Sequence, residues 1–119
     1  TRTKTKGLFV SLYNRTLATI IRLEHIAGRT EQAIGARELV GDTEQLRIKL
    51  AYARTRLAEA HAALDSVKAD FEKILIFDPR TTPRARLGKI RLRFEKEVAV
   101  PMRGAHTTLL GIALKLREI

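Results

Sequence analysis

The residues best suited to chemistry in this sequence are cations. Between Arg80 and Lys96 the chain places Arg80, Arg84, Arg86, Lys89, Arg91, Arg93 and Lys96, with no acid before Glu95. On a helix, Arg86, Lys89, Arg93 and Lys96 recur at steps of three, four and three, so they form one stripe. Arg84 and Arg91 then take the other flank of the apolar face. On a strand, Lys89, Arg91 and Arg93 would share a face instead. Either geometry sets cations in a row, and a sugar-phosphate backbone presents a row of anions. The planar guanidinium fork grips phosphate oxygens bidentately. A second cluster, Arg2, Lys4 and Lys6, alternates with threonines at the N-terminus. Hydroxyl and ammonium groups both suit phosphate contacts.

Other chemistry is poorly served. His25, His61 and His106 fall on three separate expected helices, and none has a second histidine or an acid at a metal-ligand spacing. Ser11 and Ser66 lack the motif of a nucleophile elbow. Gly28, Gly35 and Gly41 form no phosphate loop, because no G-x-x-x-x-G-K-[ST] pattern occurs. Glu95/Glu97 and Asp70/Glu72 are two apart and point to different sides of a helix. The expectation is a non-enzyme that needs neither cofactor nor metal. Base-specific reading is not expected either. The six aromatics (Phe9, Tyr13, Tyr52, Phe71, Phe77, Phe94) mostly occupy core positions, which leaves no stacking platform.

The charge of the whole chain agrees with this reading. The 119 residues carry 23 Lys+Arg against 13 Asp+Glu, a formal net charge of +10. The sequence pI is about 10.7, in the range that marks nucleic-acid binding domains. The excess is uneven: residues 1–27 and 77–97 are strongly basic, whereas 28–76 balance to zero. A hydrophobic fraction of 45% excludes a disordered polycation, and the lack of cysteine excludes a disulfide scaffold. No apolar run approaches the ~20 residues of a membrane span. Asn14 and Arg15 interrupt the first apolar segment, against a secretory signal. A single cytoplasmic domain over 1–119 is expected, with a basic N-terminal arm at 1–7.

The elements that must position these cations read as helices. Phe9, Tyr13, Leu17, Ile20 and Leu23 predict a helix over 8–27, stopped by Gly28. Thr30 would then cap a short second helix that ends by Gly41. The strongest signal is 43–76, where Leu46, Leu50, Ala53, Leu57, Ala60, Leu64, Val67, Phe71 and Ile74 alternate steps of four and three. That is a heptad seam, opened by Asp42 and Gln45 at capping-box spacing. Phe77-Asp78-Pro79 ends it, and Thr82-Pro83 reads as the start of another helix. Residues 83–100 fit both helix and strand; helix is favoured because a lone strand would have no partner. Pro101 should break that segment, and 104–118 gives a last apolar helix. The fold class is therefore all-α, a bundle of four or five helices around 43–76. Its seam can be filled by the chain's own helices or by a second copy.

Two resemblances follow from these residues. Lys68-Ala69-Asp70, Ile76-Phe77-Asp78-Pro79, the basic Pro-containing loop and Met102-Arg103-Gly104 before a Leu-rich helix resemble uncharacterised bacterial heptad/F-D-P proteins. In those proteins a winged-helix-like module begins after the Arg-rich linker. That likeness implies a truncated DNA-binding regulator of a mobile element. The overall build, a small basic helical bundle without catalytic motif, is similar to the small helical subunits of CRISPR effector complexes. It implies an antiviral role in which RNA or DNA backbone is held without sequence readout, beside other protein subunits. The rivals are a helical dimerisation or interaction protein and a membrane-surface helix, of which the last is not expected.

Overall fold

The computed structural model describes the backbone of residues 2–38, 43–76 and 84–118, and side chains within 6–38, 43–73 and 87–118. The described residues are all helical apart from the turn at 37–38 and the start of the second helix. Helix α1 is Arg2–Ala36 and α2 is Glu44–Ile76. Helix α3, Arg84–Phe94, runs through a π-helical turn at Glu95–Ala99 into α4, Val100–Glu118, without a break. Among the described residues the bundle therefore has three long helical rods, not four or five helices. Its extents are 63 × 19 × 17 Å.

The central heptad seam behaves as its spacing predicts. Leu46, Leu50, Ala53, Leu57, Ala60, Leu64, Val67 and Phe71 are all at most 5% exposed. They are covered from within the chain. Leu23, Ala27 and Ile34 of α1 meet Leu46 to Leu57 of α2 and Ala105, Leu109, Ile112 and Leu116 of α4. Nearer the other end, Ile20, Ala60, Leu64 and Val98 form a second cluster, with Tyr13, Leu17 and Phe94 packed against it. These pairings run α1 antiparallel to α2, and α2 antiparallel to α3 and α4. The rings of Phe9 and Phe71 stack at 3.9 Å between centroids beyond the second cluster.

Three sequence expectations need correction. Gly28 does not stop α1, and no second helix begins at Thr30. A glycine costs a helix about 1 kcal/mol, but the buried steps Leu23, Ala27, Thr30 and Ile34 carry the seam across it. Thr30 tolerates burial because its hydroxyl donates to the Ile26 carbonyl at 2.8 Å. The N-terminal arm is not a separate segment either, since Arg2, Lys4 and Lys6 belong to the first turns of α1. Over 84–100 the favoured helix stands, and the strand alternative falls away. Finally, Pro101 is buried inside a continuing helix. A proline lacks the N–H and crowds the carbonyl four residues back. The π turn just before it, closed by the Val100 N–H on the Glu95 carbonyl, widens the helix at that point. The expected Asp42 cap, the Phe77-Asp78-Pro79 turn and the Thr82-Pro83 start lie outside the described residues.

The ends of α1 and α2 are tied locally. The Arg37 guanidinium donates to the Ala33 carbonyl at 3.0 Å, satisfying an acceptor of the last turn. Glu38 pairs with Arg47 on the first turns of α2, and the Thr43 carbonyl accepts the Arg47 N–H.

Candidate nucleic-acid interface

The described carboxylates are mostly consumed in pairs, and this sorts the cations into two kinds. Along the α1–α2 contact, Glu31 holds Arg54 at 2.9 Å and Glu24 lies 3.5 Å from His61. On α2, Glu59 holds Arg56 at 3.1 Å. On the third rod, Glu95 binds Arg103, Glu97 binds Arg93 at 2.6 Å and Glu118 meets Lys115 at 3.5 Å.

Arg93 is the residue whose surroundings depart most from the expected stripe. It donates to the Asp70 carboxylate and, at 2.6 Å, to the Ser66 hydroxyl, both on α2. With Glu97 as a third acceptor, its fork is committed to tying α3 to α2. Lys89, Arg91 and Lys96 are exposed and make no ion pair among the described residues. They do not share one face: Lys89 and Arg91 are two apart on α3, and Lys96 lies in the π turn. Arg91 instead borders an apolar groove of about 350 Å³ lined by Leu8, Phe9, Leu12, Phe71, Leu87, Ile90 and Phe94. Lys6 stands exposed on the other side of Phe9, bordering a cleft with Tyr13, Lys68 and Glu72. Arg2 and Lys4 lie on α1, and Arg84 and Arg86 on the first turn of α3. Arg80 lies outside the described residues.

Sequence reasoning missed the Tyr13 cluster. The Tyr13 hydroxyl donates to Asp65 at 3.0 Å, and the Lys68 ammonium sits 4.7 Å from the ring centroid. Burial, and then the hydrogen bond to Asp65, push the Tyr13 phenol above its ordinary pKa. On α2, the Tyr52 hydroxyl and then Glu59 raise the Arg56 guanidinium, so it stays charged. The Arg93–Glu97 pair was legible as an i, i+4 ion pair. The reach of Arg93 to α2 was not.

Compared with known proteins, the chain matches no family model, no curated protein and no solved structure. The likeness to CRISPR subunits and to heptad/F-D-P proteins therefore rests on sequence features alone. Among the described residues no group of three or more His, Asp or Glu could hold a metal ion, and none of their helices is long and apolar enough to cross a membrane. His25 and His106 are exposed and stand apart from His61.

Proposed function

We propose that this protein is a non-catalytic subunit that holds nucleic-acid backbone without reading base sequence, within a larger nucleoprotein assembly. The observation that carries the reading is the sorting of charge. Most described acids are taken up by partner cations, while Lys6, Lys89, Arg91 and Lys96 stand exposed with no ion pair among the described residues. Unpaired cations have lost none of their attraction for an external anion. Phosphate contacts of this kind set position and affinity but carry no sequence information. The exposed Leu110 and Leu114, one turn apart on α4, offer protein neighbours an apolar hold. The resemblance to CRISPR effector subunits would place the protein in such an assembly.

The test is a fluorescence-anisotropy titration with single- and double-stranded DNA and RNA at two salt concentrations. Binding should be indifferent to sequence and should weaken steeply with salt. Reversing Lys89, Arg91 and Lys96 to Glu should weaken it further. Absence of binding at low salt, or indifference to that triple reversal, would overturn the reading.

A further inference from the structure

Among the described residues, a second row of unpaired cations lies on α1, outside the 80–96 run. Arg15, Arg22 and Arg29 are spaced seven residues apart on one helix and are exposed. None has an ion pair among the described residues. A seven-residue step turns an α-helix by almost two full turns, so the three guanidiniums lie in line. The row rises about 10.5 Å per step, or about 21 Å from Arg15 to Arg29. Exposed His25 lies one turn beyond Arg22 on the same outer face.

The side of α1 that carries the row follows from its neighbours. Leu8 is seven residues before Arg15, and Leu12 three before it. Both line the groove that Arg91 borders on α3. Ile26, four after Arg22, packs against the cluster that includes Ala105 and Leu109 of α4. The arginines therefore lean toward the third rod. The acids of α1 lie on the opposite flank, where Glu24 and Glu31 face His61 and Arg54 of α2. On the third rod, Glu95, Glu97 and Glu118 are each paired within it. No free carboxylate among the described residues of these helices opposes the row.

We infer that Arg15, Arg22 and Arg29 form a phosphate track along α1, continued by Arg91 at the groove, along which one nucleic-acid strand lies lengthwise. This rests on the backbone-binding reading above and locates its main contact surface on three arginines of α1 that the reading does not use. The row suits a ligand that presents successive anions along its length, as the phosphates of a nucleic-acid strand do. Nucleic acid fits better than an anionic membrane. A helix that lies in a bilayer surface must offer an apolar face to the lipid, and the apolar face of α1 is buried against α2 and α4.

The experiment compares wild type, Arg15→Gln/Arg22→Gln/Arg29→Gln and Lys89→Gln/Lys96→Gln by anisotropy on a labelled 20-nucleotide strand and the matching duplex, over a salt series. Circular dichroism confirms that each variant is helical. Three lost contacts should lower the log–log salt slope by about 2–3 and the affinity near 0.1 M salt roughly a hundredfold. Arg22→Gln alone should lower the slope by about 0.7–0.9. If the α1 triple variant keeps wild-type affinity and slope while the Lys89/Lys96 variant weakens, the track is wrong and backbone binding stands. If wild type binds neither probe at low salt, backbone binding itself fails. If the α1 arginines are needed only for phosphatidylserine vesicles, the ligand is lipid and the track is overturned.

Discussion

Arg93 on α3 and Asp70 on α2 are joined across the bundle by a guanidinium–carboxylate contact, with Ser66 accepting a second bond of the same fork. This pairing turns a cation that the sequence offers to a ligand into a tie between helices. Charge-assisted hydrogen bonds contribute about 1.5–3 kcal/mol, and partial exposure of both groups reduces that. Arg93→Ala should cost about 1–2 kcal/mol in urea unfolding and leave nucleic-acid affinity nearly unchanged. Unaltered stability with a large loss of affinity would instead make Arg93 a phosphate ligand.

The seam of α2 allows little change of volume. Leu57 and Leu64 are at most 1% exposed, so Leu57→Ala should cost about 2–5 kcal/mol through the cavity it leaves. Ala60 is fully buried where α1 and the π turn converge. Ala60→Leu should be destabilising by about 1–3 kcal/mol through overpacking. Equilibrium denaturation reads both, and a neutral Ala60→Leu would mean the helices are looser there than described.

Gly28 sits in the middle of α1, and a methyl group built on it meets nothing within 4 Å. Gly28→Ala should therefore stabilise the protein by about 0.5–1 kcal/mol, by removing backbone freedom from the unfolded chain. A thermal melt should move up by a few degrees. A fall would show that α1 is not one continuous helix through this position.

Tyr13 supplies a pH dependence. Its phenol is raised above 10.0 by burial and by Asp65. The protonated form is favoured in the fold, so this stabilisation is complete below the unfolded pKa near 10 and is lost as pH rises through the folded value. Tyr13→Phe should cost about 0.5–1 kcal/mol at pH 8. The gap between wild type and variant should narrow in strongly alkaline solution. A gap that is constant or widens with pH would contradict the hydrogen bond to Asp65.

What was legible in the sequence was periodic. The α2 seam reads directly from Leu46 to Phe71 because apolar residues, large or small, repeat at every step of four and three. The seam of α1 beyond Leu23 was not, because Thr30 stands in a buried position and Gly28 beside it resembles a stop. Pro101 misled for a similar reason: a local rule for helix breaking was overridden by Val98, Ala105 and Leu109, whose burial holds the rod together around a π turn. The site was only partly legible. Basic residues near 89–96 are visible as a run, but which of them is already engaged depends on Asp70 and Ser66, some twenty-five residues away. The in-line arginines of α1 needed the helix to be known past Gly28.

The thickness of the molecule, 17–19 Å, is about two screening lengths at 0.1 M salt, whereas its 63 Å length is about six. Charges on adjacent helices, whose axes lie about 10 Å apart, therefore feel each other, while those on opposite sides are largely screened. Along its axis the protein behaves as a chain of electrically independent segments. A short anion senses only the stretch beneath it, while a long one accumulates attraction with every segment it spans, so ligand length should govern affinity more than ligand identity.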